Sequence, residues 1–223
     1  MPEPNPSRPL AVPVFDGLLI VGFLALTFAL GCFRQKDMDI WWHLKTGELI
    51  QDRGEWPRKD WYTFTSTDQD WVDLHWLFQV AASKLYAAGG MPLLTLAAAS
   101  LGTVALALVI AARRTDWSVP LSIACWLPAL FLMGGRFYVR PEMVSLVCIA
   151  LFLTVLFHAD RSPWLPVLLL GIQVLWVNVQ GLFILGPIIG AIHVVDGFWR
   201  ECRRRANVYL ARRVLWCLSL IAA

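Results

Sequence analysis

Repeated apolar runs, each close to the length of a bilayer crossing and separated by short polar breaks, constrain this chain more than any other feature. A transmembrane helix needs about 20 predominantly apolar residues, with roughly 17 to 25 acceptable. Hydrophobic residues supply 58% of the 223 positions and charged residues 16%. That balance excludes an ordinary water-soluble domain and makes lipid the expected solvent. The pattern predicts an all-α polytopic membrane protein with six complete transmembrane helices and part of a seventh.

The expected spans are 17–33, 92–112, 119–133, 143–158, 164–177 and 182–198, with the seventh beginning in 214–223. Residues 1–16 form a proline-rich segment without a cleavage site, so no signal peptide is expected. Residues 199–213 form a basic loop. Arg113 and Arg114 follow span two, Arg161 follows span four, and six arginines lie in "RECRRRANVYLARR" after span six. By the positive-inside rule these loops and the N-terminus are cytoplasmic, and residues 34–91 face outward. The net charge of +3 reads as this topology signal, and no nucleic-acid partner is expected. The outward loop contains no cysteine, so no disulfide framework is implied.

The long outward loop is expected to carry its own helices. Residues from Asp39 to Arg53 lack proline and end at Gly54, a C-terminal cap candidate. From Trp71 to Ala88, Leu74, Leu77, Ala81 and Leu85 make one apolar stripe, while His75, Gln79 and Tyr86 share another face. This second amphipathic helix is expected to lie along the outer membrane surface, apolar face down, ending at "GGMP". Trp56, Trp61 and Trp71 read either as parts of a site or as an interfacial aromatic belt.

The densest chemistry sits in "KDMDIWWHLKTGE", residues 36–48, directly after span one. A carboxylate at that depth is costly unless it has a partner or a task. Asp39 and His43 share a helical face, a spacing that suits divalent-cation binding, orientation of an acceptor hydroxyl, or general-base chemistry with Asp37 beside them. The alternative is that Asp39 caps the following helix. Arg136 and Arg140, between spans three and four, suit a phosphate or pyrophosphate, or else snorkel or pair with local acids. Asn178 and Gln180 either join this surface or satisfy backbone groups where two helices break. All of these positions fall on the predicted outer face, so one shared cavity is expected.

Taken together, these residues resemble the first outward loop of a group of bacterial polytopic membrane proteins related to the GT-C superfamily of glycosyltransferases. The resemblance runs from Asp37, Asp39, Trp41, Trp42, His43, Leu44, Thr46 and Gly47 through Gly54, Pro57, Asp60, Thr63 and Thr65 to Trp71, Trp76 and Leu77. It continues at Arg140 with Pro141, and ends at Trp176, Asn178 and Gly181. It implies a bacterial inner-membrane enzyme that transfers a sugar from a polyprenyl-phosphate-type carrier to an acceptor at the outer face. Asp37 or Asp39 would be catalytic, Arg136 or Arg140 would lie near the carrier phosphate, and in some relatives a divalent cation participates.

The chain also departs from the group. Commoner members have His-Glu-Trp-Leu where this chain has Leu74, His75, Trp76 and Leu77, and Asn-x-His-Gly where it has Asn178, Val179, Gln180 and Gly181. Members are also often more than twice this length, so the chain is expected to be the N-terminal part of a longer protein or a shortened relative. The contrasting expectation is a non-catalytic subunit that scaffolds other membrane subunits. Its partners would still include membrane lipids.

Overall fold

The structure is a computed structural model that describes residues 11–65, 69–112, 117–157 and 164–221. Its described residues are helical apart from turns and one isolated bridge, Lys59 to Asp70. Arg113, Arg114 and Arg161, which carried much of the orientation, lie outside the described residues, as do His158 and the first part of the N-terminal segment. The chain divides into two compact units at Phe183–Ile184.

In the first unit, α1 spans Ala11–Gly31, α2 Asp39–Arg53, α3 Trp76–Ala111, α4 Val119–Gly134, α5 Pro141–Phe157 and α6 Leu165–Val177. Pro141 opens α5, where the missing N–H costs nothing. Gly54 closes α2 at φ 70°, its N–H donating to the Ile50 carbonyl at 2.9 Å. That left-handed position suits glycine and ends the helix where its placement predicts.

Two apolar clusters organise this unit. One joins Phe23 of α1, Leu106 and Ile110 of α3, Val119, Ile123 and Leu130 of α4, and Phe137 with Met143. The other joins Ile40 and Leu44 of α2 to Phe78, Ala82, Leu94 and Ala98 of α3, with Val139 and Val179. Small residues set the closest approaches. A Cβ at Gly31 would meet Ala99, and one at Gly47 would run into the Gln79 carbonyl. Such contacts are how helices approach without a water-driven core.

The interfacial helix and the second span form one element, bent at its glycines. Gly89 and Gly90 break the helical geometry of α3, Gly90 at φ 62° and ψ −159°. The helix starts at Trp76, later than the expected Trp71, because Asp73 Oδ1 accepts the His75 N–H at 2.9 Å and holds the preceding residues in a turn. The buried side of this helix combines Phe78 and Ala82 with Gln79, and Leu77 is partly buried. Gln79 is 1% exposed, while Leu74, Ala81 and Leu85 of the apolar stripe lie exposed.

Three helices are long and apolar enough to cross a membrane: Val14–Gly31, Trp76–Ala111 and Gly181–Arg204. The other apolar helices fall short, with α4 at 16 residues, α5 at 17 and α6 at 13. At about 1.5 Å per residue they reach roughly 20 to 26 Å, under the ~30 Å of hydrocarbon.

The second unit is α7, Leu185–Ile221. The segment 199–213, expected as a loop, is helical throughout. Between Trp199 and Leu210 there is neither glycine nor proline, and arginine and alanine favour helix. Arg200 pairs with Asp196 at 2.6 Å and Arg204 with Glu201 at 2.9 Å, at helical i,i+4 and i,i+3 spacing.

Candidate functional site

Asp37 and Asp39 are brought together with Arg140. The Arg140 Nη2 lies 2.8 Å from Asp37 Oδ1 and 2.7 Å from Asp39 Oδ2, and Nε donates to the second Asp37 oxygen. The two-pronged grip on Asp37 uses the planar guanidinium fork. Asp37 is the buried partner, its side chain 9% exposed, whereas that of Asp39 is 64% exposed. Hydrogen bonding from Arg140, against the opposing effect of burial, holds the Asp37 carboxyl below the ordinary aspartate range. The same pair raises the Arg140 pKa.

Asp39 does not cap α2. The residue preceding the helix is Met38, which makes no side-chain cap bond, and it is Asp37 Oδ1 that accepts the Asp39 N–H, at 3.2 Å. A backbone turn made by Asp37 frees the Asp39 carboxylate for Arg140. Arg136 does not join the cluster. It is exposed in the turn after α4, its N–H donating to the Met133 carbonyl, and no ion pair with a described residue is formed.

His43 lies on the inner face of α2. Its ring centroid is 5.7 Å from that of His75 and 5.3 Å from that of Phe78. Burial, then the neighbouring His75, lowers its pKa from 6.5 to about 4, against the upward pull of Asp39 and Asp37. His43 is therefore neutral at physiological pH, and its Nδ1 has no protein partner.

His75 continues the polar seam. Its Nε2 lies 3.0 Å from Gln180 Oε1, and Gln180 also accepts the Gly181 N–H. Trp76 Nε1 donates to Asn178 Oδ1 at 3.1 Å, and Asn178 Nδ2 donates to the Val174 carbonyl at 2.7 Å. These amides satisfy backbone groups where α6 ends, the Val174 carbonyl and the Gly181 N–H, and they also bond to His75 and Trp76 at the start of α3. Gln79 Nε2 donates to Asp73 Oδ1 at 3.3 Å.

Asp73 was not among the residues singled out by sequence. Its side chain is 4% exposed, and its second oxygen has no protein partner. The signal for it was present, since an aspartate just ahead of a helix start commonly engages backbone N–H groups. The Oε1 of Gln79 is likewise buried and unpartnered.

Aromatic rings tie the outward loop to these helices. Trp42 packs on Tyr62 at 4.0 Å and on Trp71 at 5.9 Å, and the Tyr62 hydroxyl lies 2.6 Å from Thr46 Oγ1. Beside the ion-pair cluster runs an apolar groove of about 110 Å³, lined by Phe78, Leu85, Leu94, Ala98, Val144 and Arg140 among others. Arg140 is its one charged member.

A divalent cation needs several oxygen donors turned on one point. Among the described residues no three His, Cys, Asp or Glu side chains are so arranged, and Arg140 already bridges Asp37 and Asp39. The residues present do not fit a cation held by the two aspartates.

Compared with known protein families, with curated proteins and with solved structures, the chain matches none.

Proposed function

We propose that this chain is a GT-C-like membrane glycosyltransferase, or the N-terminal part of one, acting on a polyprenyl-phosphate-linked sugar at the outer face of a bacterial inner membrane. In this reading the N-terminus is cytoplasmic, and α4, α5 and α6 complete a six-span bundle. One observation carries it: the Asp37, Asp39 and Arg140 cluster stands at an apolar groove whose lining includes Arg140.

The groove takes the first part of the polyprenyl tail, since its lining is apolar and the exposed stripe of α3 contributes Leu85 to it. Arg140 turns from the aspartates to the carrier phosphate, for which a guanidinium fork is well shaped. Asp37, held ionised, orients the acceptor. Exposed Asp39 takes the proton of the acceptor hydroxyl as its oxygen bonds to the sugar's anomeric carbon. The bond from that carbon to the phosphate oxygen breaks, and the electron pair leaves on phosphate, stabilised by Arg140.

Replacing Asp37 and Asp39 together by asparagine in the full-length protein tests this. Transfer of label from a polyprenyl-phosphate sugar is expected to be lost while the variant still melts cooperatively. Undiminished transfer by the folded variant would remove the mechanism.

A second reading, a non-catalytic subunit of a membrane complex, is favoured by the closure of the ion-pair cluster within the chain itself. Under it, Arg140→Ala would weaken folding or assembly without affecting retention of polyprenyl phosphate.

A further inference from the structure

A second cavity lies in the outward loop, separate from the groove beside Arg140. It measures about 360 Å³ and is walled by Trp56, Trp71 and Trp76, with Arg58, Asp73 and Asn178 among its polar members. That volume falls within the roughly 300–1,000 Å³ of small-molecule sites.

Three tryptophans converging on one space are not arranged as an interfacial belt, whose rings would spread around the outside of the bundle. Trp56 and Trp76 stand with ring centroids 6.0 Å apart and planes 38° from parallel. Trp56 and Trp71 keep 53% and 38% of their surfaces exposed, although large aromatic side chains favour burial. The Arg58 guanidinium lies 5.7 Å from the Trp56 ring centroid.

The polar wall has unused capacity. Asp73 is held rigidly through its Oδ1 by the His75 N–H and the Gln79 amide, while its Oδ2 is buried without a partner. A buried carboxylate oxygen demands a donor. Arg58 supplies donors in the same cavity, and Asn178 an amide. The occupant must therefore offer flat apolar surface, hydroxyl donors and hydroxyl acceptors.

From this we infer that the cavity binds a single pyranose unit, its C–H face against the tryptophans and its hydroxyls toward Asp73, Arg58 and Asn178. A pyranose has this division: one face of C–H groups and a rim of hydroxyls. A phosphate would meet the Asp73 charge. A quaternary ammonium, which aromatic cages also hold, would meet Arg58.

The inference rests on the proposed function and deepens it, since a glycosyltransferase must hold a sugar. Asp73 touches His75, and His75 neighbours His43, which shares α2 with Asp39. The sugar is either that of an acceptor glycan or that of the lipid-linked donor.

Saturation-transfer NMR on the full-length protein in nanodiscs tests it, with empty nanodiscs as background. The probes are methyl glucoside, methyl mannoside, methyl galactoside and N-acetylglucosamine, then the matching polyprenyl-phosphate sugars, with choline as the cationic control. Saturable transfer to ring C–H protons is expected for at least one glycoside. It should weaken by about fivefold or more in Trp71→Ala, Trp56→Ala and Asp73→Asn, and persist in Leu132→Ala, a change at an exposed position of α4 outside both cavities.

Transfer from free glycosides identifies the acceptor, and transfer seen only with the lipid-linked form identifies the donor sugar. Because Asp73→Asn preserves volume, it reports on the site even where a tryptophan variant does not fold. Sugar binding that survives all three variants, binding of choline alone, or no binding by any probe would overturn the inference. Sugar binding together with intact transfer in the doubly substituted aspartate variant would instead reject the proposed mechanism and leave the site standing.

Discussion

Arg140 holds Asp37 across 103 positions of sequence, its Nη2 2.8 Å from Asp37 Oδ1 and its Nε on the other carboxylate oxygen. The contact ties the segment just ahead of α2 to the residue just ahead of α5 and gives a largely buried carboxylate its arginine partner.

Removing that partner should be costly. Arg140→Ala leaves Asp37 buried and unpaired, while the arginine itself is partly exposed, so the loss is expected to be about 1 to 3 kcal/mol. Arg140→Lys should recover part of it, because a lysine cannot make the two-pronged contact. Adding Asp37→Asn to Arg140→Ala should cost less than the sum of the single changes. Thermal melting of the four proteins in detergent checks this through the double-mutant cycle.

His43 should make stability depend on pH between about 4 and 6.5. Its folded pKa is lowered to about 4, so in that window the unfolded chain binds a proton that the folded chain does not. Stability is therefore full above 6.5 and falls as pH drops toward 4, by on the order of 3 kcal/mol at most. Asp37 contributes below this window, since its lowered pKa acts only as pH falls through the ordinary aspartate value. Melting temperatures measured across this window should fall with pH in the wild type and stay nearly flat in His43→Gln; equal slopes would show that the histidine is not responsible.

Gly47→Ala sets two effects of opposite sign against each other. Helix propensity alone would stabilise α2 by roughly 0.5 to 1 kcal/mol. The added Cβ, however, would run into the Gln79 carbonyl, which is backbone and cannot swing aside. Overpacking should win, with a net loss of about 1 to 3 kcal/mol in thermal melting. A stabilised variant would show that α2 and α3 are not in close contact there.

Gly90→Ala should strain the bend in α3. At φ 62° and ψ −159° the residue occupies a region nearly restricted to glycine, so alanine is expected to cost about 1 to 3 kcal/mol. Gly89→Ala lacks that backbone penalty, but its Cβ would press on Leu93. Thermal melting of Gly90→Ala checks this, an unchanged midpoint showing that the bend does not depend on the glycine conformation.

Much of the helical layout was legible in the chain itself. The absence of proline located α2, apolar runs located helices starting near 119, 141 and 165, and Gly54 marked a helix end by its own backbone freedom, whereas α1 and α3 begin well ahead of the expected 17 and 92. The same local logic misjudged 199–213, where polarity suggested a loop but arginine and alanine sustain a helix. It also could not rank the two faces of the helix from Trp76. Hydrophobicity named Leu74, Leu77, Ala81 and Leu85 as one stripe, of which Leu77 packs partly on the protein while Leu74, Ala81 and Leu85 are exposed, and the burial of Gln79 beside Phe78 and Ala82 depends on which elements pack there.

The candidate residues were visible by type and spacing, but their roles were not. Whether Asp39 caps α2 or meets Arg140 turns on a pairing across about a hundred residues, and no local pattern encodes that distance. Arg136 and Arg140 stand four apart and read alike in sequence; only the turn before α5 decided that one faces solvent and the other two aspartates. Asp73 became notable through an oxygen that packing buried without a partner. Composition and periodicity determined the solvent and the elements, since those depend on each segment alone. Tertiary packing decided which charges meet, since that depends on segments the chain itself keeps far apart.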